Sequence, residues 1–322
     1  MVKPRCQGDD RSTVAGRQAL PSGNQDLLRR SPPEATLAWV AAAVGPSSRV
    51  VSVRPLDSFS SAVHALLVLN RHETPHTVVL RRYLRGEWLR REPDLAEQEA
   101  HVLGILESTA VPAPRLISAD PQGHLTDVPA VLMSQVDGIP QRSLPDTDRF
   151  ILQLAEALVR VHSVSLPGNG MIRRYRPHNL HLSLPVPEWA AAAAIWERAL
   201  EIYSGPVPDR DSAVLLHRDY HPGNVLWTAD RVSGVVDWAN ASIGCAQADL
   251  GHCRMVLALS WGQERADRFL RAYRTLSGSF AHGYDPYWDL AAAVGAIPDL
   301  PLKDVQATRV DHFVGRAVRQ LG

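Results

Sequence analysis

The spacing of apolar positions changes character along the chain. Residues 1–32 are polar, with Gly, Ser, Arg and Pro scattered and no apolar face at helical or strand period; they are read as a disordered leader or a start placed too early. An apolar helix opens at Pro33 and runs to about Val44. Three β-rich runs follow, Val50–Leu56, Ala62–Leu69 and Thr77–Tyr83, each bounded by turn residues. Pro93–Leu106 predicts a helix that sends Leu95, Val102, Leu103 and Leu106 to the core, and Val111–Leu116 and Pro129–Gly138 predict two further strands. Beyond Gly138 the period turns helical, over Phe150–His162, Pro187–Ile202, 250–261, 263–274, 287–294 and 303–321. Three short strands interrupt it, at Val214–Leu216, Val225–Trp227 and Val232–Val236. Strands first and helices afterwards predict an α+β fold of two lobes, a strand-rich one over 33–138 and a mostly helical one over 139–322.

Composition narrows this picture. The 322 residues are 45% hydrophobic, enough for a large core. Acidic and basic residues balance at 34 each, so charge gives no argument for nucleic acid or an anionic membrane as partner. Only two of the basic residues are lysines, Lys3 and Lys303, so an interior phosphate-binding cation is expected to be arginine. Cys6, Cys245 and Cys253 form no C-x-x-C pair and are odd in number, which predicts a reducing compartment, the cytoplasm. No apolar run is long enough to span a bilayer, and no signal-peptide core stands at the start. Oligomeric state is not legible in the sequence.

The candidate chemistry lies between the short strands. His217-Arg218-Asp219-Tyr220-His221-Pro222-Gly223-Asn224 is followed, after one strand and a turn, by Val235-Val236-Asp237-Trp238. Phosphoryl transfer needs a carboxylate that orients the acceptor hydroxyl and takes its proton, and oxygen ligands that hold Mg²⁺ against nucleotide phosphates. Asp219 fits the first role, and Asn224 and Asp237 fit the second. No G-x-x-x-x-G-K occurs, which excludes a P-loop enzyme.

This stretch resembles the aminoglycoside phosphotransferase family of small-molecule kinases. His221-Pro222-Gly223 and the Asp237-Trp238 pair separate it from protein kinases, as does the lack of an Ala-Pro-Glu after Asp237. The resemblance implies a protein-kinase-like fold over roughly residues 35–320. It also implies transfer of the γ-phosphoryl group of Mg²⁺-bound ATP or GTP to a hydroxyl of a small molecule, an antibiotic such as an aminoglycoside or macrolide, or a metabolite. On the same resemblance Arg81 takes the place of the strand lysine that pairs phosphates, with Arg82 its rival on the opposite strand face. Glu99 steadies that cation, Glu97 being the rival, and His217 braces the loop. The turn 57–61 lies over the phosphates, and Ser60 and Ser61 are its candidate donors although it holds no glycine. Backbone groups of Ser134 to Val136 meet the purine edge, and Gly138 supplies flexibility between the lobes. Asp249 is implied as a cap or loop anchor. Ala239-Asn240 stands where the family often has an acid, which argues against a strongly cationic acceptor. Glu264, Asp267, Asp285 and Asp289 are candidates to line the acceptor pocket.

Two other readings compete with transfer. One is a nucleotide-binding regulatory module without activity, for which the glycine-free turn is the argument. The other is a metal-dependent hydrolase built on His217, Asp219 and His221.

Overall fold

The computed structural model describes residues 22–58, 60–141, 147–166, 171–180, 183–208, 213–278, 283–299 and 304–322. Five antiparallel strands make the first sheet, in the order β1 (Arg49–Pro55), β2 (Ala62–Leu69), β3 (Pro75–Arg82), β5 (Ala130–Ser134), β4 (Leu116–Asp120). The strand period of two divides their side chains between two helices. Leu66, Val68, Val78, Leu80 and Leu132 point to α2 (Glu34–Val44), where Val40 closes a small core. Tyr83, Val131 and Met133 point the other way, into the main core beneath α4 (Leu95–Leu106), whose Leu95, Val102, Leu103 and Leu106 are buried as their spacing predicts. Arg81 and Arg82 therefore face opposite sides of one strand.

The second lobe is mostly helical. α5 (Thr147–His162), α6 (Ala193–Tyr203), α7 (Gln247–Trp261), α8 (Gln263–Ser277), α9 (Tyr287–Gly295) and α10 (Asp304–Leu321) surround two small sheets, and a short α3 (Gly86–Arg91) precedes α4 in the first lobe. β6 (Ile139–Pro140), β8 (Val225–Thr228) and β9 (Arg231–Val235) form one sheet; β7 (Ala213–Leu216) pairs with β10 (Ser242–Cys245) in the other. The predicted strands 214–216, 225–227 and 232–236 are all present, but β7 finds its partner in a strand the sequence did not announce. Among the described residues no helix is long and apolar enough to cross a membrane.

Several expectations need correction. Residues 1–21 lie outside the described residues, but the rest of the polar leader is not featureless: α1 (Ser22–Arg29) packs on β2, buries Leu28 and pairs Arg29 with Asp57 at 2.9 Å. The strand predicted at Val111–Leu116 lies instead at Leu116–Asp120. Pro112 and Pro114 cannot donate to a ladder, and the Pro112 carbonyl accepts the Val235 N–H at 2.7 Å. The helix predicted from Pro187 begins only at Ala193, because the Ala190 N–H turns back to the Pro187 carbonyl and the Ala191 N–H is taken by Asp311 at 2.9 Å. Gly138 is required rather than flexible. Its φ is +123°, and a Cβ there would stand 2.8 Å from the Trp227 carbonyl oxygen.

Candidate active site

The loop between β7 and β8 is held by its neighbours at almost every residue. At its start, the buried Asp249 carboxylate on α7 accepts the backbone N–H groups of His217 and Arg218, each at 2.7 Å. This is the anchoring role expected of Asp249. His162 completes it, with Nε2 3.2 Å from Asp249 and Nδ1 2.6 Å from the Tyr273 hydroxyl. Burial alone would raise the Asp249 carboxyl, but the His162 and backbone donors hold it below the usual carboxylate range.

His217 ties this loop to the following hairpin. Its Nδ1 lies 3.3 Å from the Asp219 N–H, which fixes the proton on Nε2, and that nitrogen donates to the Val236 carbonyl at 2.9 Å. The ring packs against Trp238 at 4.6 Å between centroids. Both nitrogens are thus used inside the protein, so the proposed hydrolase cluster of His217, Asp219 and His221 does not exist. Burial lowers the His217 pKa below its ordinary 6.5, and His64 shifts the same way. An unfolded chain takes up protons at these rings as pH falls through 6.5, while the folded chain does not, so stability is full above that value and declines below it. Thermal unfolding followed from about pH 7.5 down to about 5.5 is expected to show a falling midpoint, and a level midpoint would refute the assignment of a neutral buried His217.

Asp219 and Asn224 are locked together. The Asn224 side-chain amide donates to the Asp219 carbonyl at 2.9 Å and to Asp219 Oδ2 at 3.1 Å, which turns its own oxygen away from Asp219. Between them Pro222–Asn224 forms a 3-10 turn capped by His221, whose Nδ1 accepts the Gly223 N–H at 3.0 Å. A Cβ at Gly223 would stand 2.6 Å from His221 Cε1, so only glycine lets the ring lie there. Asp237 follows the hairpin in the left-handed region at φ +72°, a conformation that aspartate and asparagine enter more readily than other residues with a side chain.

Arg81 crosses from the first lobe to this hairpin. Its Nη1 meets Glu99 Oε1 at 3.0 Å and Asp237 Oδ1 at 2.7 Å. Glu99 also accepts the Tyr83 hydroxyl at 2.7 Å and the Trp238 N–H, and burial holds its carboxyl above the usual range. Burial works against the Arg81 charge, but Asp237 and Glu99 outweigh it and keep the guanidinium protonated. Arg82 instead grips Asp127 with two nitrogens, beside Thr36 on the α2 side, and Glu97 is exposed. Arg82 and Glu97 were the rivals of Arg81 and Glu99: Arg82 faces the other side of the strand, and Glu97 the solvent side of α4.

Two other groups fit less well than expected. Ser61 is wholly buried and its hydroxyl is sealed from solvent, so of the pair only Ser60 is partly exposed; Phe59 of the same turn lies outside the described residues. Ser134 spends its N–H and Oγ on Arg115, each at 2.9 Å, and Gln135 donates to the Thr77 carbonyl. Of the three residues proposed for the purine edge, only Val136 keeps its N–H uncommitted among the described residues. The candidate pocket acids are also committed, Glu264 to Arg265 and Arg268 at the exposed surface. Asp289 holds Arg254 through two contacts of 2.8 Å and the Tyr284 hydroxyl at 2.6 Å, Asp267 holds Arg254 and Arg316, and Asp285 caps α9. His252, whose Nε2 lies 3.1 Å from Asp219 Oδ1, was not anticipated; its one sequence signal is a place three residues after Asp249 on the same helix.

The model of the phosphotransferase enzyme family matches residues 53–294. The chain belongs to that family and is a small-molecule kinase. No curated protein matches the sequence. Among solved structures, a thermostable mutant of aminoglycoside phosphotransferase APH(4)-Ia, in ternary complex with AMP-PNP and hygromycin B, is similar over 89% of this chain and 99% of its own, at 15% identity and a TM-score of 0.60. Macrolide 2'-phosphotransferase MphH from Brachybacterium faecium is similar over 81% of this chain and 90% of its own, at 16% identity and a TM-score of 0.56. At such identities the likeness is one of fold, the two-lobed protein-kinase-like α+β fold that the phosphotransferase resemblance implied.

Proposed function

We propose that this phosphotransferase moves the γ-phosphoryl group of ATP or GTP to a hydroxyl of a small molecule. The observation that carries the reading is one connected polar system: Asp219 locked to Asn224, Asp237 on the next turn, and Arg81 joining Asp237 to Glu99 across the lobes. In this reading residues 33–138 bind nucleotide and 139–322 carry the catalytic loop and the acceptor. Asp219 orients the acceptor hydroxyl and takes its proton as the phosphoryl group leaves the nucleotide. Arg81, held by Glu99, supplies positive charge beside the phosphates, and Ser60 and Val136 are the donors left for phosphate and purine.

The donor set suits Mg²⁺. The Asn224 side-chain oxygen is turned away from Asp219, Asp237 adds a carboxylate, and both are the hard oxygen ligands this ion takes in small number beside phosphates. Asn224 and Asp237 would hold the ion, which would neutralise charge on the phosphates.

The similar structures act on an aminoglycoside or a macrolide, and either class is a candidate acceptor, as is a metabolite alcohol. The acids expected to receive a cationic acceptor are spent on Arg254, Arg316 and the α9 cap, which favours acceptors of low charge. Cys253 is buried and in no disulfide among the described residues, which fits a reducing compartment such as the cytoplasm. A module that binds nucleotide without transfer is favoured by one observation, the buried Ser61 hydroxyl in a turn without glycine.

Incubation with Mg²⁺ and ATP or GTP against aminoglycosides, macrolides, amino alcohols and sugars, read by mass, separates these readings. A product heavier by one phosphate, lost without Mg²⁺, is the expected result. Nucleotide binding with no product across the panel would favour the silent module, and no nucleotide binding would overturn both.

A further inference from the structure

Two imidazoles converge on the carboxylate of Asp219. His252 Nε2 lies 3.1 Å and His221 Nε2 3.6 Å from the same oxygen, Oδ1, with the two rings 5.9 Å apart between centroids. Two histidines and one carboxylate, with ligand atoms within 4.8 Å of one another, have the composition of a transition-metal site. The hydrogen bonding of His221 argues against it. Its Nδ1 accepts the Gly223 N–H, so the neutral ring carries its proton on Nε2, the nitrogen that would have to offer a lone pair to a metal. Gly223 presses on that ring edge, since even a Cβ would come within 2.9 Å of Nδ1. His221 therefore turns an N–H rather than a lone pair towards Asp219, at 3.6 Å, and His252 Nε2 stands 3.1 Å from Oδ1 without the alignment of a hydrogen bond, so both rings act on the carboxylate as close electrostatic contacts.

His252 comes from a helix that already controls this loop. Asp249 and His252 are three residues apart on α7 and share one face. Asp249 fixes the backbone at His217 and Arg218, and His252 reaches the side chain one residue further on. Asp219 Oδ2 is fixed separately by the Asn224 amide. We infer that His252 is a positioning residue for the phosphotransferase reaction: it holds Oδ1, and with it the rotation of the Asp219 carboxylate, so that the base meets the acceptor hydroxyl in one orientation. This rests on the reading of Asp219 as the base. Without His252 the carboxylate keeps its bond at Oδ2 but has only the longer His221 contact of 3.6 Å opposite Oδ1, so it turns more freely about its last bond, and misplacing a reacting group by about 1 Å costs on the order of 100-fold in rate. The His252 side chain is one-quarter exposed, but the Nε2 that faces Asp219 is sealed from solvent.

The test has two arms. In imidazole ¹⁵N spectra of the intact protein, the His252 Nε2 resonance is expected to shift when Asp219 is replaced by Asn, whether or not an acceptor is known; an unmoved resonance would show that the contact is absent and end the proposal. In the transfer assay, His252→Ala is expected to lower kcat about 10- to 100-fold with the nucleotide KM unchanged, and His252→Gln, which keeps an N–H at similar reach, to recover most of it. A wild-type kcat in His252→Ala, or Gln no better than Ala, overturns the positioning role while leaving the kinase reading intact. A wild-type protein that transfers no phosphate removes the kinase reading first, and this inference with it.

Discussion

Asp219→Ala is expected to lose phosphoryl transfer by about 10²- to 10⁴-fold in kcat, the range supplied by a positioned general base. The nucleotide KM should change far less than kcat, because Asn224, the one residue assigned to the Mg²⁺–nucleotide that touches this side chain, keeps its bond to the Asp219 carbonyl. Stability should fall little. The Asn224 amide keeps its 2.9 Å bond to the Asp219 carbonyl, and Asp249 still anchors the loop's start, so the cost is that of one or two hydrogen bonds, about 1–2 kcal/mol. Asp219→Asn is the sharper comparison. It preserves size but has one acceptor oxygen in place of two, so it keeps the bond from Asn224 or the contact with His252 and not both, and it lacks the basic oxygen, so it should be as inactive as the alanine variant. Near-normal kcat in Asp219→Asn would show that the carboxylate only orients the hydroxyl or is not used at all. Loss of folding in both would instead make the residue structural. Kinetics with each nucleotide and thermal unfolding of the same samples distinguish the three outcomes.

The chain's local rules made this site legible and hid other parts. Asp219, Asn224 and Asp237 were readable because each polar residue stands between short apolar runs, and those runs formed the strands that carry them. Strand alternation allows only one of two adjacent arginines to face α4, and the resemblance to the family's strand lysine pointed to Arg81. Where long-range contacts decide, the sequence was mute. β10 has no strong strand signal of its own, and Ser242–Cys245 becomes a strand only by pairing with β7. The start of α6 was misplaced because Asp311, 120 residues away, takes the amide of Ala191. Ser61 reads as a loop hydroxyl, yet the residue that opens the buried β2 follows it directly and it is carried under the turn. His252 has no motif, and its approach to Asp219 follows from how α7 crosses the catalytic loop. Candidate pocket acids were the opposite case: their chemistry was visible in the sequence, but Arg254 and Arg316, which neutralise them, come from other turns of the helical lobe.

Arg81→Ala is expected to damage both the fold and the reaction. One nitrogen of Arg81 serves two carboxylates, Glu99 at 1% and Asp237 at 14% side-chain exposure. Truncation leaves two acids facing each other out of water, and removing one partner of a buried ion pair costs about 3–5 kcal/mol. For a chain of this size that is roughly 5–10 °C in Tm. The loss should depend on pH in a defined direction. Burial already places the Glu99 carboxyl above its ordinary range, and removing Arg81 takes away the group that opposes that rise. A carboxyl raised in the folded state favours folding below its unfolded pKa and loses that contribution as pH rises through the folded value. The gap in Tm between variant and wild type should therefore narrow as pH falls towards the usual carboxylate range and widen near neutrality. Arg81→Lys keeps the charge as a single nitrogen on a shorter stem, so it should recover part of the stability, with activity depending on whether it reaches both partners. A variant Arg81→Ala that melts within about 1 °C of wild type at neutral pH would mean that the bridge between the lobes contributes nothing, and with it the placement of the phosphate-pairing cation would fall.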